Sequence, residues 1–223
     1  MLSERLLRRT TVSGLAAGLA SLIPGRGNAG ARGDRLHRVR EDAEAVSLPP
    51  PETDGDSSVE RAIANRRSRR EFAATPITRR ELSQLLWAAQ GITEPESGHR
   101  AAPSAGALYP LEVSVIVGDP GVDGLDAGVY RYRPTPHELA LRGRGNVQAE
   151  LRAAAVDQGA VERAAIDVVI CAVDERTTRE YGKRGRLRYV PMEVGHAGQN
   201  LSLQAEALAS RRSRSVRSTV AEC

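Results

Sequence analysis

Ala102-Pro103-Ser104-Ala105-Gly106-Ala107-Leu108-Tyr109-Pro110 is a run of small residues held between two prolines. Its first half has no large side chain. Backbone N–H groups and the Ser104 hydroxyl are therefore open to close approach by a flat ligand. Read without a ligand, the run is a tight connection into the strand expected at Val113-Ser114-Val115-Ile116-Val117.

The neighbouring segments set that loop in an α+β frame. Upstream, Thr78 and Glu81 have capping-box spacing, and Leu82, Leu85, Leu86 and Ala89 form one apolar stripe. Gly91 is the expected stop. Earlier still, Ser57-Ser58 caps a short helix through Asn65, with Val59, Ala62 and Ile63 on one face. Downstream, Val129–Tyr132 alternates like a strand and pairs with Glu138–Leu141 across a proline-rich turn. A helix is expected at 147–156 and a buried strand at Ile166–Ala172, with Cys171 as a core residue. Residues 190–208 read as a long helix, in which Gly195 and Gly198 permit close approach of another helix or a ligand. Helices mixed with antiparallel strands give the α+β class.

The 223 residues carry 32 basic and 28 acidic side chains, a net charge of +4 and a pI of about 9.5. Such a pI invites a nucleic-acid or membrane-surface partner, but the charge sits at the ends. Residues 1–31 carry Arg5, Arg8, Arg9 and Arg26 against Glu4, and residues 210–223 carry Arg211, Arg212, Arg214 and Arg217 against Glu222. Each end holds +3, so residues 32–209 are left at −2. Aromatic residues make up 3%, too few for a base-stacking platform. Two cysteines exclude a disulfide scaffold or a cysteine zinc cluster. No apolar run of about 18 residues offers a stable membrane span.

Arg8-Arg9, a Gly/Ala-diluted apolar stretch at Val12–Ile23 and Ala29-Gly30-Ala31 are the parts of a twin-arginine export signal. They predict a periplasmic or extracellular destination, with a cytoplasmic one as the alternative. Residues 32–56, with Pro49-Pro50-Pro51, read as a linker.

Two further segments suit charged ligands. Arg66-Arg67-Ser68-Arg69-Arg70 offers guanidinium forks and a hydroxyl to a phosphate, or else is a solvated basic face. Tyr181-Gly182-Lys183-Arg184-Gly185-Arg186-Leu187-Arg188-Tyr189 can hold an anion or present a tyrosine proton donor. His37, His99, His137 and His196 lack metal-ligand spacing, so no metal site is expected, and His196 reads as a helix-packing residue. No G-x-S-x-G, P-loop or G-x-G-x-x-G is present.

In this order, Arg66–Arg70, Glu81–Thr93, Arg100–Glu112, Gly128–Tyr132, Tyr181-Gly182 and Glu193–Leu201 resemble the nitroreductase-like flavoproteins. Among these they are most similar to the SagB/ThcOx-type dehydrogenases. The resemblance implies a nitroreductase-like fold, a mixed central sheet flanked by helices, over residues 57–208. It implies an FMN-dependent oxidoreductase that passes hydride through flavin N5, and a homodimer with FMN at its interface. Arg66, Arg67, Ser68 and Arg70 would contact the phosphate and ribityl chain. Pro103, Ser104, Ala105 and Gly106 would lie against the isoalloxazine, supplied by the other subunit. Peptide-modifying members oxidise azolines to azoles with help from a Lys-Tyr pair. Tyr181 matches the tyrosine, whereas Glu180 stands where the lysine is expected. The substrate is then a small molecule or a peptide, with no nucleic acid.

The tail departs from the resemblance. Beyond Leu208 the family continues with an apolar strand and a Gly-Ala-Phe-Asp-like segment, where this chain is rich in Arg and Ser over 210–223. Written in G/C-rich codons and read from the third base of codon 209, the stretch becomes Leu-Ala-Ala-Val-Ala-Val-Gly-Ala-Phe-Asp. A frameshift near residue 209 is therefore expected, giving an incomplete domain that binds FMN weakly or not at all and tends to aggregate. The competing readings are an Arg-rich nucleic-acid or anionic-surface binder, and a non-catalytic scaffold with a flavin fold.

Overall fold

The computed structural model describes residues 37–38, 44–72, 75–156, 158–211 and 219–222. The expected export signal, residues 1–31, lies outside them. One mixed sheet organises the chain. Its strands are β1 (His37–Arg38), β2 (Ala45–Ser47), β5 (Leu111–Val117), β6 (Gly128–Arg133), β7 (Glu138–Arg144), β8 (Ile166–Ala172) and β9 (Thr219–Glu222). The order is β1-β7-β6-β5-β8-β9, and β2 also pairs with β7. All pairings are antiparallel except β8 with β9. A separate hairpin joins β3 (Ile92–Glu94) to β4 (His99–Arg100).

Period-two alternation divides the core between the two faces of the sheet. Val113, Val115, Val117, Tyr130, Tyr132, Leu139, Leu141, Ile166, Val168 and Ile170 bury one face. Over it lie α2 (Arg79–Gln90) and α6 (Val190–Arg211). Ile116, Val129 and Val169 face the other way, against α3 (Gln148–Ala154) and α4 (Gly159–Arg163). Cys171 packs at the edge of this second cluster, half-buried.

Helix α2 forms where its sequence dictates. The Thr78 side chain accepts from the Glu81 N–H, and Glu81 reaches back to the Thr78 N–H at 2.8 Å. This satisfies two backbone donors that the first turn leaves without partners. Leu82, Leu85 and Leu86 are wholly buried; truncating one such leucine typically costs roughly 2–5 kcal/mol. The Gly91 N–H closes the helix on Trp87 O at 2.8 Å.

The structure departs from the sequence reading in several places. Helix α1 (Val59–Asn65) forms behind its Ser58 cap, but only Ala62 is buried. Val59 and Ile63 remain 66% and 57% exposed. Seven residues make too short a helix to turn a whole apolar stripe onto α6. The stretch read as a linker, 32–56, supplies β1 and β2. It is then clasped by His137, whose Nε2 reaches Ser83 Oγ at 2.7 Å and Pro49 O at 3.1 Å, while Nδ1 meets the Tyr132 hydroxyl at 2.9 Å. Burial holds His137 below its usual pKa, although the Pro49 carbonyl opposes this. The bonds fit the tautomer with the proton on Nε2 toward Pro49 O and Nδ1 accepting from Tyr132. His196, expected to pack, is exposed on α6. In the Arg/Ser-rich tail, Thr219–Glu222 pairs parallel with Asp167–Ile170 at the edge of the sheet among the described residues.

Candidate functional site

The loop Ala102–Pro110 is bent by three left-handed residues, Gly106 at φ +63°, Ala107 at +53° and Tyr109 at +45°. Gly106 tolerates this conformation; Ala107 and Tyr109 each carry a cost of about 1–2 kcal/mol. Strain of this kind persists only where neighbours over-determine it, and here they do. The Tyr109 N–H donates to Ser104 Oγ at 2.9 Å, and the Tyr109 hydroxyl accepts from the Arg100 N–H at 3.1 Å. The Arg100 guanidinium lies 4.6 Å over the Tyr109 ring. Arg176 donates to Tyr109 O at 3.1 Å, and Asn200 Nδ2 on α6 donates to Ala101 O at 3.2 Å.

Tyr181 ends α5 (Asp174–Tyr181) and comes to the same loop. A Cβ built on Gly106 would meet the Tyr181 hydroxyl oxygen at 2.7 Å. Any other residue there would be strained by its φ and would force the Tyr181 ring to shift. Tyr181 is braced edge-on by Tyr189, with ring centroids 4.9 Å apart, and Arg184 lies 5.3 Å over the Tyr189 ring. A π-helical turn, Gly185–Tyr189, carries the chain from there into α6. Two segments far apart in sequence thus set a phenolic O–H against a small-residue loop with exposed backbone at Gly106.

A buried polar cluster backs this loop, and the sequence reading did not find it. Glu193 on α6 is 3% exposed and Gln90, at the end of α2, is 1% exposed. Arg100 Nη1 donates to Gln90 Oε1 at 3.0 Å. Burial raises the Glu193 carboxyl above its usual pKa, against the pull of the Ser104 hydroxyl, Arg100 and Gln90. Burial likewise lowers Arg100, with Glu193 opposing. The signal was present in the sequence. Glu193 falls on the stripe Val190, Val194, Ala197 and Leu201 that α6 buries, and a carboxylate there requires polar company.

The arginine segment stands apart. Arg66 caps α1, and Arg67 donates to Ala64 O at 2.9 Å and to Arg66 O at 2.8 Å. Arg69 pairs with Glu206 at 3.5 Å. Among the described residues no ion pair engages Arg66, Arg67 or Arg70, and Ser68 is exposed. No hydrogen bond among the described residues links this segment to Pro103–Gly106. The four cofactor-facing positions expected at 66–70 and the four at 103–106 thus share no hydrogen bond among the described residues.

Comparison with known proteins agrees with this architecture. The sequence pattern described as "Nitroreductase family" matches residues 63–209. A Methanocaldococcus jannaschii protein named as a nitroreductase is 45% identical over 167 residues, covering 75% of this chain and 81% of that protein. The microcin B17-processing protein McbC of Escherichia coli is 31% identical over 132 residues, 58% of this chain and 48% of McbC. A solved structure described as a nitroreductase, from Ralstonia eutropha, superposes with a TM-score of 0.64 at 26% identity, covering 81% of this chain and 79% of the other. With the sheet, its two helical layers and this match, the chain belongs to the nitroreductase family.

Proposed function

We propose that the protein is an FMN-dependent oxidoreductase acting as a homodimer. The flavin, when bound, supplies hydride transfer at N5. The residues present fit such a group. Arg66, Arg67 and Arg70, with no ion pair among the described residues, and the exposed Ser68 suit a phosphate and its ribityl chain. Pro103, Ser104, Ala105 and Gly106 offer only small side chains to a ring laid against them. The observation that carries the reading is the Tyr181 hydroxyl held against Gly106. It puts a proton donor beside the surface on which an isoalloxazine ring would rest.

The substrate class follows less directly. Similarity to McbC, which by its name processes microcin B17, favours an azoline ring in a peptide. Glu180 in place of a lysine before Tyr181 favours a general nitro or quinone acceptor instead. Absent a lysine, Tyr181 alone would move the proton.

FMN titration tests the flavin reading. Protein added to FMN should quench its fluorescence saturably, and the complex should bleach with dithionite and recover in air. Arg67→Gln with Arg70→Gln should weaken binding by about tenfold or more. Unquenched FMN at high protein concentration would leave only a flavin-fold scaffold. Reading the DNA around codon 209 tests the proposed frameshift, which also predicts weak FMN retention.

A further inference from the structure

A cavity of about 450 Å³ opens where β5 begins and β6 ends. Its walls carry five arginines, Arg100, Arg131, Arg133, Arg142 and Arg176, together with Gln90. Glu112 is the one carboxylate among the lining residues. It is shared, pairing with Arg131 and, at 2.7 Å, with Arg176. Burial opposes its ionisation, yet the two arginines outweigh burial and hold the carboxyl below its usual range. Arg133 leans on Glu138 at 2.9 Å, and no ion pair among the described residues engages Arg142. Five guanidiniums thus meet two carboxylates. Glu193, near Arg100, is the remaining acid, and burial drives it toward its neutral form.

One donor in this wall is left without an acceptor. Arg131 Nε is buried and makes no hydrogen bond among the described residues. Such an orphan is destabilising until an acceptor reaches it. A solvated basic face would not show it, because water would reach every N–H. Convergent guanidiniums, excess positive charge and a buried donor ask for oxygen atoms from outside the chain. The volume lies within the range of small-ligand sites.

We propose that this cavity binds a small oxyanion ligand of more than one negative charge, its carboxylate or phosphate oxygens taken by Arg131, Arg142 and Arg100. None of Arg66–Arg70 lines it. The site is therefore distinct from the surface assigned to the flavin phosphate, and it stands or falls independently of that assignment.

The test uses the full-length protein, with inorganic pyrophosphate and citrate as probes, at ionic strength matched with NaCl. Isothermal titration and thermal melts should show saturable binding and a rising Tm for at least one probe. Binding of citrate alone identifies a carboxylate ligand, and of pyrophosphate alone a phosphate ligand. Arg142→Gln, which breaks no described ion pair, should weaken binding about tenfold, and Arg131→Gln by at least as much. The Arg67→Gln, Arg70→Gln protein should bind as the parent does. Circular dichroism checks that each variant is folded, and Arg142→Gln keeps the test valid if Arg131→Gln is not. Absence of saturable binding would overturn the proposal. So would binding that survives Arg142→Gln and disappears with Arg67→Gln, Arg70→Gln, a result that leaves the flavin reading intact.

Discussion

Asp167 is a carboxyl in the wrong medium. It lies on β8, 1% exposed, among the apolar residues that face α3 and α4. Gln148 Nε2 donates to its Oδ2 at 2.9 Å, while Oδ1 has no partner among the described residues. Burial pushes the carboxyl up to about 7, against the pull of Gln148. The sign follows from linkage. Below about pH 4 both folded and unfolded chains carry the proton; between about 4 and 7 the unfolded chain releases it first. Stability therefore falls as pH rises through that window and levels off above it. Asp167→Asn keeps the shape and removes the titration. It should raise stability at pH 8 by about 1–3 kcal/mol and by less at pH 5. Calorimetric melts at the two pH values check this; an equal gain at both would refute it. Asp167 and Glu193 were both visible in the sequence as charges inside apolar stripes. Their partners Gln148, Ser104, Gln90 and Arg100 were not. Each partner comes from a different element, and only the tertiary fold brings it near.

The loop between Pro103 and Pro110 is specified by its own composition and by what leans on it. Gly106→Ala combines a strained φ with a Cβ placed 2.7 Å from the Tyr181 hydroxyl. We expect a loss of about 1–3 kcal/mol. In a Tyr181→Phe background that loss should shrink, because the obstructing oxygen is gone. A double-mutant cycle on urea-unfolding midpoints measures the coupling, and additive losses would show that the two groups are not in contact. The strongly patterned elements were legible in sequence. The capping box, the leucine stripe of α2 and the hydrophobic runs of β5 and β8 lie within a residue or two of their expected places. The short elements were not. Strands of two or three residues, such as β1 and β2, are too brief for alternation to register. Helix α4 has only five residues and helix α5 is mostly polar, so neither carries a long apolar stripe of its own. The frame for the site was thus readable, while the orientation of Tyr181 toward Gly106 depends on the turn at Gly182–Tyr189 that no periodicity encodes.

Among the described residues, large apolar side chains are exposed on α1, at Val156 after α3, on the π-helical turn and at the start of α6. Leu187 is 70% exposed and Met192 is 56% exposed, beside exposed Gly195 and His196. A Cβ on Gly195 would meet nothing within 4 Å. This is the surface that the proposed dimer would cover. Leu187→Glu with Met192→Glu should therefore shift a sedimentation profile from dimer to monomer and leave the far-UV spectrum unchanged. Unaltered sedimentation would move the interface elsewhere. Among the described residues no helix is long and apolar enough to cross a membrane.

The clasp at His137 also determines how the molecule would respond to being pulled. Force entering the chain at Glu44 meets the three-residue pairing of β2 with β7 first. It next loads the bonds that Pro49 O receives from His137 and Ser83. Glu52 then passes it to α2 through Gln84, whose Nε2 donates to Glu52 O at 2.9 Å. The helical core is last in that series. Tension from this side therefore peels an outer strap while the loop, Tyr181 and the arginine-lined cavity stay assembled.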